Sequence, residues 1–372
     1  MLKSRHRAPL AAIAGLALAL AAPPASSQEG DLFTAYAIAV DAEAKTAAQA
    51  RDVALISGQR EAFRTVLKRL TLAEDWGRLP KLSTAQIVAM VAALQFGNEK
   101  TSSVRYLADL TVEFKKGPIR SLLRASDIPF TETRARPTLA LPVLESGDNR
   151  LLFDDNPWLL AWAGQDVIRG AMFPIVVPIG DLEDVAIIDA ETAVTGDEAA
   201  LAAIAERYRT TNVMVVVASL VEGAGKTTID LERRWHGPLK SGTEISSLKA
   251  GAEESTEALL ARAVAETMRE LEEEWKRETL LQFDQEQRLS VRVPIESLAD
   301  WIEVRRRIGR NGMVRTFEVA SITRQAVQLY VDYLGDPRQL AISLAQEELE
   351  LIEEDGFWVL NLRRGTGGTA RE

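Results

Sequence analysis

Cysteine is absent from the 372-residue sequence and histidine is nearly absent, and both facts exclude kinds of chemistry. A chain without thiols forms no disulfide, no zinc–thiolate site and no cysteine nucleophile. His6 lies in an N-terminal leader, which leaves His236 as the imidazole of the remaining chain. Because no nucleophile-elbow motif accompanies it, we expect His236 to be a structural or surface histidine.

Basic residues are in the minority. Lys and Arg number 44 against 54 Asp and Glu, which gives a formal net charge of −10. Nucleic acids and anionic membrane faces both attract basic surfaces, so neither is an expected partner. With 47% hydrophobic residues the composition is that of a globular protein, and its length suffices for two or three domains.

Long apolar runs are missing, apart from a short one near the N-terminus. Three basic residues precede the uncharged stretch from Pro9 to Ala22, and Ala25 to Ser27 offers small residues that a signal peptidase accepts. The stretch is shorter than the roughly 20 residues that span a bilayer. Residues 1–27 are therefore predicted to be a cleavable signal peptide, and the remaining chain is predicted to be soluble and periplasmic without a membrane anchor.

Changes of pattern divide the rest of the chain into three units and a short tail. We expect fold classes α/β and α+β, with mixed-sheet α/β units followed by a C-terminal ferredoxin-like sandwich. The predicted boundaries are 28–135 for an N-terminal α/β unit, 136–288 for a middle α/β sheet domain, 289–364 for the ferredoxin-like unit and 365–372 for a disordered tail.

The N-terminal unit combines predicted strands and helices. The runs LFTAYAIAV and VRYLADLTVEF are typical of strands. Apolar residues at helical spacing predict a long helix over about Ala42 to Leu70 and a shorter helix over about Thr84 to Ala93.

The middle unit is organised around FPIVVPIGDLED, from Phe173 to Asp184. Its apolar residues between prolines predict a buried strand that leads into an acidic loop at a sheet edge. The nearly continuous apolar run NVMVVVASLV predicts a strand covered on both faces, and the alternating KTTIDLERRW is its expected hairpin partner. The intervening GAGKTT is not a phosphate-binding loop, because Leu220 stands where that motif needs glycine and a strand pattern follows. A charged helix over about Glu253 to Phe283 closes the unit.

The C-terminal unit has the predicted order β-α-β-β-α-β, which is typical of a ferredoxin-like sandwich. Ser297 and Asp336 are the expected N-caps of its two helices.

The candidate partner-docking surface consists of Asp181, Glu183 and Asp184 with Trp158 and Trp162. The three carboxylates crowd one loop, and the two tryptophans stand four residues apart, so they share one helical face. Three interpretations of the carboxylates stay open: helix capping, partner docking, and metal binding or acid–base catalysis. Their spacing matches no calcium loop, and we predict no catalytic, metal or cofactor site.

Several short motifs together resemble an exported bacterial family, domain of unknown function 2066. They are YAIAV, LADLTVEF, RPTLALPVL, RGAMFPIVVPIGDLED and AERYRTTNVMVV, over about Leu32 to Pro238. The resemblance implies an envelope protein with no assigned activity. The run AERYRTTNVMVVVASL is also similar to α/β domains of envelope assembly proteins, which favours protein–protein interaction.

These observations predict a non-catalytic periplasmic binding or assembly module of the bacterial cell envelope, with an unidentified envelope protein as its partner. The alternative is a carboxylate-dependent hydrolase that acts on a cell-wall glycan through Asp181 or Asp184. A third possibility is that the ferredoxin-like unit binds a small ligand on an exposed sheet face. The oligomeric state is left open by the sequence.

Overall fold

The computed structural model describes residues 30–147, 149–165, 169–223, 226–280, 286–354 and 356–363. The predicted signal peptide and the predicted disordered tail lie outside the described residues. The described residues form three β-sheets with helices packed against them, a mixed α/β architecture of the α+β class. Among these residues no helix has the length and apolar character needed to cross a membrane.

The first sheet is antiparallel, and one long helix packs on it. Its elements are β1 (Thr34–Glu43), α1 (Ala47–Leu70), α2 (Thr84–Met90), β2 (Val91–Thr101), β3 (Arg105–Phe114) and α3 (Lys116–Ala125). The strand order is β1-β3-β2. Helix α1 approaches the sheet closely at Gly58, where an added Cβ would lie 2.5 Å from the Leu110 side chain. Glycine therefore permits the contact that buries the apolar face of α1.

The predicted second helix is too long at its C-terminal end. Helix α2 stops at Met90, and Val91 begins β2, which pairs with β3 from Val91 opposite Phe114. Pairing with a neighbouring strand overrides the local helical pattern of these residues.

The second sheet is mixed and is covered by helices on both faces. Its elements are β4 (Thr138–Ser146), β5 (Asn149–Leu151), α4 (Pro157–Ala163), β6 (Ile175–Val176), α5 (Leu182–Ile187), α6 (Ala190–Thr195), α7 (Glu198–Arg207), β7 (Asn212–Gly223), β8 (Lys226–His236), β9 (Gly242–Lys249) and α8 (Thr256–Thr279). The order is β5-β4-β7-β8-β9, and β6 pairs with β4. Alternate residues of β7 enter two different cores: Val215 joins the core that contains α6 and α7, and Val216 joins the core that contains α4 and α8. The predicted double coverage of this strand and its hairpin with β8 are confirmed.

The predicted strand within Phe173–Asp184 is corrected by the structure. Strand β6 comprises Ile175 and Val176 alone, and the chain then runs as a loop to the start of α5. Pro174 and Pro178 have no amide N–H to donate to a ladder, so the apolar run between them cannot pair along its length. The loop leaves Ile179 75% exposed.

The third sheet has five strands and two helices. Its elements are β10 (Glu286–Pro294), α9 (Leu298–Ile308), β11 (Val314–Ile322), β12 (Ala326–Leu334), α10 (Pro337–Gln346), β13 (Leu349–Glu354) and β14 (Phe357–Leu362). The strand order is β11-β12-β10-β14-β13, with β14 parallel to β10. Strands β13 and β14 form a hairpin, and β14 lies between β10 and β13 in the sheet. Ser297 and Asp336 cap α9 and α10 as predicted.

Helix α8 carries a buried ion pair that binds it to the N-terminal unit. The Lys276 side chain is 2% exposed and lies 3.0 Å from the Glu273 carboxylate. Glu273 also accepts a hydrogen bond from the Ala73 amide, and the Lys276 ammonium donates to the Lys68 carbonyl oxygen. Each buried charge thus has a partner of opposite charge and a backbone partner.

Other side chains of the same helical turns bind the segment that links the first two sheets. The Trp275 indole N–H donates to the Thr133 carbonyl oxygen at 2.6 Å, and the hydroxyls of Thr279 and Thr131 lie 2.9 Å apart. The Thr133 hydroxyl in turn lies 3.2 Å from the Ser343 hydroxyl in α10. The C-terminal half of α8 is therefore the place where the three sheets are joined.

We expect Glu273→Gln to lower the free energy of unfolding by about 3 kcal/mol, because it leaves the buried Lys276 ammonium without its counter-charge. Glu266→Gln is the matched control on the same helix, since Glu266 forms a half-exposed pair with Arg262. The control should change stability by about 0.3–0.5 kcal/mol. Urea denaturation followed by circular dichroism measures both. Equal losses in the two variants would show that the buried pair does not hold the sheets together.

Candidate functional site

The predicted acidic loop is held by its own backbone. Asp181 is the N-cap of α5 and accepts hydrogen bonds from the amides of Glu183 and Asp184, at 3.1 and 3.0 Å. The Asp184 side chain is fully buried and accepts from the Gly180 amide at 2.9 Å. Both aspartates therefore satisfy local amide groups, which is the capping interpretation of this cluster.

One arginine of α7 neutralises much of the loop's charge. Arg207 contacts all three carboxylates: Asp181 at 2.5 Å, Asp184 at 2.7 Å and also Glu183. The Tyr208 hydroxyl donates to Asp184 at 2.6 Å. Burial, together with this hydrogen bond, raises the pKa of Tyr208. The cluster is an ion-pair network around Arg207, in which Asp184 is buried while the Asp181 and Glu183 side chains are 40% and 78% exposed.

The two tryptophans of the predicted docking surface lie in the core. Trp158 is 0% exposed and Trp162 is 3% exposed, and their rings pack edge to face at 5.7 Å. The Trp158 indole N–H donates to the Val216 carbonyl oxygen at 3.0 Å. The shared helical face was predicted correctly, but it is the buried face. Neither indole can contact a partner, and the docking assignment of these two residues is corrected.

His236 ends β8 on the sheet face opposite Trp235. An added Cβ on Gly196 would lie 3.1 Å from the imidazole Cε1 atom, so the ring packs against the end of α6. Burial, and next the charge of Arg234, lowers the pKa of His236. The imidazole is a packed side chain of this face.

A cleft of about 560 Å³ opens where the second and third sheets meet beside α8. We call it the junction cleft. Its volume is within the range typical of small-molecule sites. Six segments that are far apart in sequence build it: Arg136, Asn212, residues 238–240, the last turns of α8, helix α10 with its N-cap, and Arg363.

Trp275 lines the junction cleft and belongs to an aromatic cluster whose other two rings line a small neighbouring pocket. The Phe173 ring packs edge to face against Trp235 and Trp275, each at 6.2 Å between ring centroids. The Lys240 ammonium lies 5.2 Å from the centre of the Trp235 ring. Since these rings pack on one another, the Trp275 ring is held in a fixed position beside the cleft.

Cationic side chains surround the opening. Arg136, Lys240, Arg338 and Arg363 line the cleft. The Arg136 side chain is 22% exposed and lies 3.5 Å from Glu348. Burial lowers the pKa of Arg136, and the charges of Arg363 and Arg307 act in the same direction, while that of Glu348 opposes them. The guanidinium therefore lies in a partly dehydrated place beside other cations.

Two carboxylates also line the cleft. Asp336 is the N-cap of α10 and accepts from the Gln339 amide at 2.8 Å. Glu278 is exposed and has no ion pair within the described part of the chain. No group of three metal-ligating side chains occurs among the described residues.

Sequence reasoning did not find the junction cleft. Arg136 was interpreted as a boundary residue, and Arg338 and Arg363 were not singled out. The one local signal was that Arg136 lies two residues before a strand and Arg363 directly follows one. Such positions bring side chains to the edges of sheets, but they do not show which edges meet.

The comparisons with known proteins give a family match for the N-terminal unit alone. The sequence model for a domain of unknown function, DUF8605, matches residues 31–132. The resemblance to domain of unknown function 2066 was therefore wrong. The motifs YAIAV and LADLTVEF that supported it lie inside the DUF8605 match, and their alternating pattern is common to many α/β units.

No curated protein sequence matches the chain. Among solved structures, the chain is similar to the crystal structure of lipoprotein GNA1162 from Neisseria meningitidis. The identity is 15%, the match covers 37% of this chain and 96% of that chain, and the TM-score is 0.24. A likeness of this size carries no conclusion about the present chain.

The lowered pKa of His236 gives a testable dependence of stability on pH. Because the folded-state pKa lies below the unfolded-state value of about 6.5, the unfolded chain binds the proton more tightly. The contribution of His236 to stability is therefore fully present above pH about 6.5. It is lost as the pH falls through the folded-state pKa.

The imidazole titration is followed by NMR, using the signal that disappears in His236→Gln. We expect a folded-state midpoint below 6.5, and a smaller loss of stability between pH 6.5 and 5 in the variant than in the parent chain. A midpoint at or above 6.5 would contradict this account.

Proposed function

We propose that the chain is a non-catalytic binding or assembly module of the bacterial cell envelope, and that its partner binds in the junction cleft. The supporting observation is the construction of the cleft. Residues of the linker, the second sheet, α8 and the third sheet converge there, and the buried bonds of α8 fix their relative positions. A preformed concave surface of this kind suits recognition.

The composition of the cleft supports binding in preference to catalysis. No imidazole or thiol is among its lining residues, since His236 lies on the opposite face of β8. Asp336 is committed to capping α10, and Glu278 is the second carboxylate of the cleft. The site therefore offers cations and an aromatic surface, which hold a ligand without an evident nucleophile or base.

The carboxylates considered for a glycan hydrolase, Asp181 and Asp184, are bound by neighbouring groups. A glycosidase needs two carboxylates that reach opposite sides of one bond. Asp184 is fully buried beneath Arg207 and Tyr208, and Asp181 is bound to α5 amides and to Arg207. A hydrolase would have to use another pair of residues.

The exposed face of the third sheet is a weaker candidate for ligand binding than the cleft. Arg288 on this face forms ion pairs with Asp332 at 2.7 Å and Glu318 at 2.9 Å, and it lies over the Tyr330 ring. The groups that would contact a ligand are thus already paired with one another.

The third sheet is proposed to be an elaborated ferredoxin-like sandwich. Strands β10, β12 and β11 lie side by side in the order that this fold gives its first, third and second strands, and α9 and α10 follow β10 and β12 along the chain. The β13–β14 hairpin takes the place of the single fourth strand. The placement of this hairpin brings Arg363 to the cleft.

Export to the periplasm is part of the proposal. Its support is the pattern of residues 1–27, in which a basic segment, an uncharged apolar stretch and small residues follow one another. The chain without this segment would then act in the envelope, where cysteine-free proteins need no oxidative folding.

Site-specific photocrosslinking in intact cells tests the binding function. We expect a benzoylphenylalanine residue in place of Glu278, an exposed residue at the cleft, to yield a discrete adduct with one envelope component identified by mass spectrometry. The matched control replaces Arg324, an exposed arginine between β11 and β12, and should yield no such adduct. Adducts at neither position, or equal adducts at both, would contradict the proposal. Release of glycan fragments from peptidoglycan by the purified protein would favour the hydrolase instead.

A further inference from the structure

We infer that the junction cleft binds an oxyanion, a carboxylate or phosphate group, that is carried on an apolar body. This inference deepens the proposed function, because it assigns a ligand chemistry to the same cleft. It is argued from the charges of the lining residues, from the bonding of Arg136 and from the apolar residues of the cleft.

The charge of the cleft is opposite to that of the chain. The sequence carries a net charge of −10, yet four cationic side chains and two carboxylates line the cleft. The Asp336 carboxylate is held as a helix cap by the Gln339 amide. A local excess of cations in a partly enclosed space attracts anions, since charges interact more strongly there than in water.

Arg136 has donor capacity to spare for a ligand. Its contacts are long: Nε lies 3.4 Å from the Gln346 carbonyl oxygen, and a terminal nitrogen lies 3.5 Å from Glu348. Charge-assisted hydrogen bonds of a guanidinium are typically about 2.7–2.9 Å. Glu348 is bound more closely by Arg307, at 2.5 Å. A carboxylate or phosphate in the cleft would therefore compete well for the Arg136 fork.

Arg338 provides a second cation. It lines the cleft from the first turn of α10, is exposed, and has no ion pair within the described part of the chain. Lys240 and Arg363, in contrast, are already paired. Lys240 pairs with Glu244 and, at 3.2 Å, with Glu274. Arg363 pairs with Glu350 at 2.7 Å. Arg136 and Arg338 are thus the cations that a ligand can engage with the least loss of existing bonds.

The apolar residues of the cleft indicate that the anion is attached to an apolar group. Trp275 uses its indole N–H to bind the Thr133 carbonyl oxygen, so the ring offers apolar surface to the cleft. Leu239, Ile342 and Ala345 line the same space. An alkyl or aryl group there would be removed from water, which a bare inorganic anion would not exploit.

Fragment binding tests the inference with the full chain and four probes: hexanoate, hexyl phosphate, hexanamide and inorganic phosphate. Isothermal titration calorimetry gives affinities, and NMR locates the contact through the indole N–H signal that disappears in Trp275→Phe. We expect hexanoate or hexyl phosphate to bind about tenfold or more tightly than hexanamide, and inorganic phosphate to bind more weakly than hexyl phosphate. Whichever of the two anions binds better identifies the chemical source. Equal binding of hexanamide, or binding of none of the probes, would overturn the inference.

Two variants assign the binding to the arginines. Arg338→Gln should weaken the affinity for the anionic probe by about tenfold, and the loss should shrink at high salt. Arg136→Gln should do the same, with circular dichroism to verify folding. Arg324→Gln is the matched control and should leave the affinity unchanged. Unchanged affinity in both cleft variants would overturn the inference.

The two proposals fail in different ways. Anion binding without an adduct at position 278 would remove the envelope partner and leave a small-molecule site. A discrete adduct without anion binding would leave the binding module and overturn the ligand chemistry.

Discussion

The buried polar anchoring of helix α8 is the constraint on which the rest of the structure depends. Glu273 and Lys276 are buried together, and such a pair is tolerated only where each charge keeps a partner and its hydrogen bonds. Those partners are backbone groups of the N-terminal unit, while Trp275 and Thr279 bind the linker. The bonds require the sheets to keep one arrangement. The junction cleft exists because that arrangement holds α8 and α10 side by side.

The acidic loop shows how the oxygens of a charged cluster can be bound by groups of neighbouring elements. A docking or metal site could have the composition of Asp181, Glu183 and Asp184. Here, however, their oxygens accept hydrogen bonds from Arg207 on α7 and from amides of α5. The responsible arginine is more than twenty residues away along the chain. A carboxylate cluster is free for function only when no guanidinium from a neighbouring element reaches it, and spacing along the sequence does not reveal that.

Local sequence patterns predicted where strands and helices lie, whereas contacts between distant residues determine which of their side chains are buried and which line a site. Alternation located β3 and β8, a continuous apolar run located β7, and side-chain caps located the starts of α9 and α10, because all these signals are local. The apolar run around Ile175 failed as a strand because its prolines remove donors from the ladder. Helical spacing placed Trp158 and Trp162 on one face, but burial of that face depends on β7, a separate segment. The sequence could not predict the cleft, because Arg136 and Arg363 come to line one space only after the sheets have packed.

Net charge describes a chain, whereas recognition depends on the charge within a few ångströms of the ligand. Screening at physiological salt limits the influence of exposed charges to about 8 Å, so the acidic outer surface acts weakly inside the cleft. Arg136 is partly dehydrated there, and dehydration strengthens its attraction for an anion while it weakens its hold on its own proton. The acidic exterior still matters for larger partners, because it repels extended polyanions. An anion that is small, or that ends an apolar chain, escapes this repulsion by entering the cleft. This charge distribution is the reason that we propose a compact anionic group, and not an extended polyanion, as the ligand of the cleft.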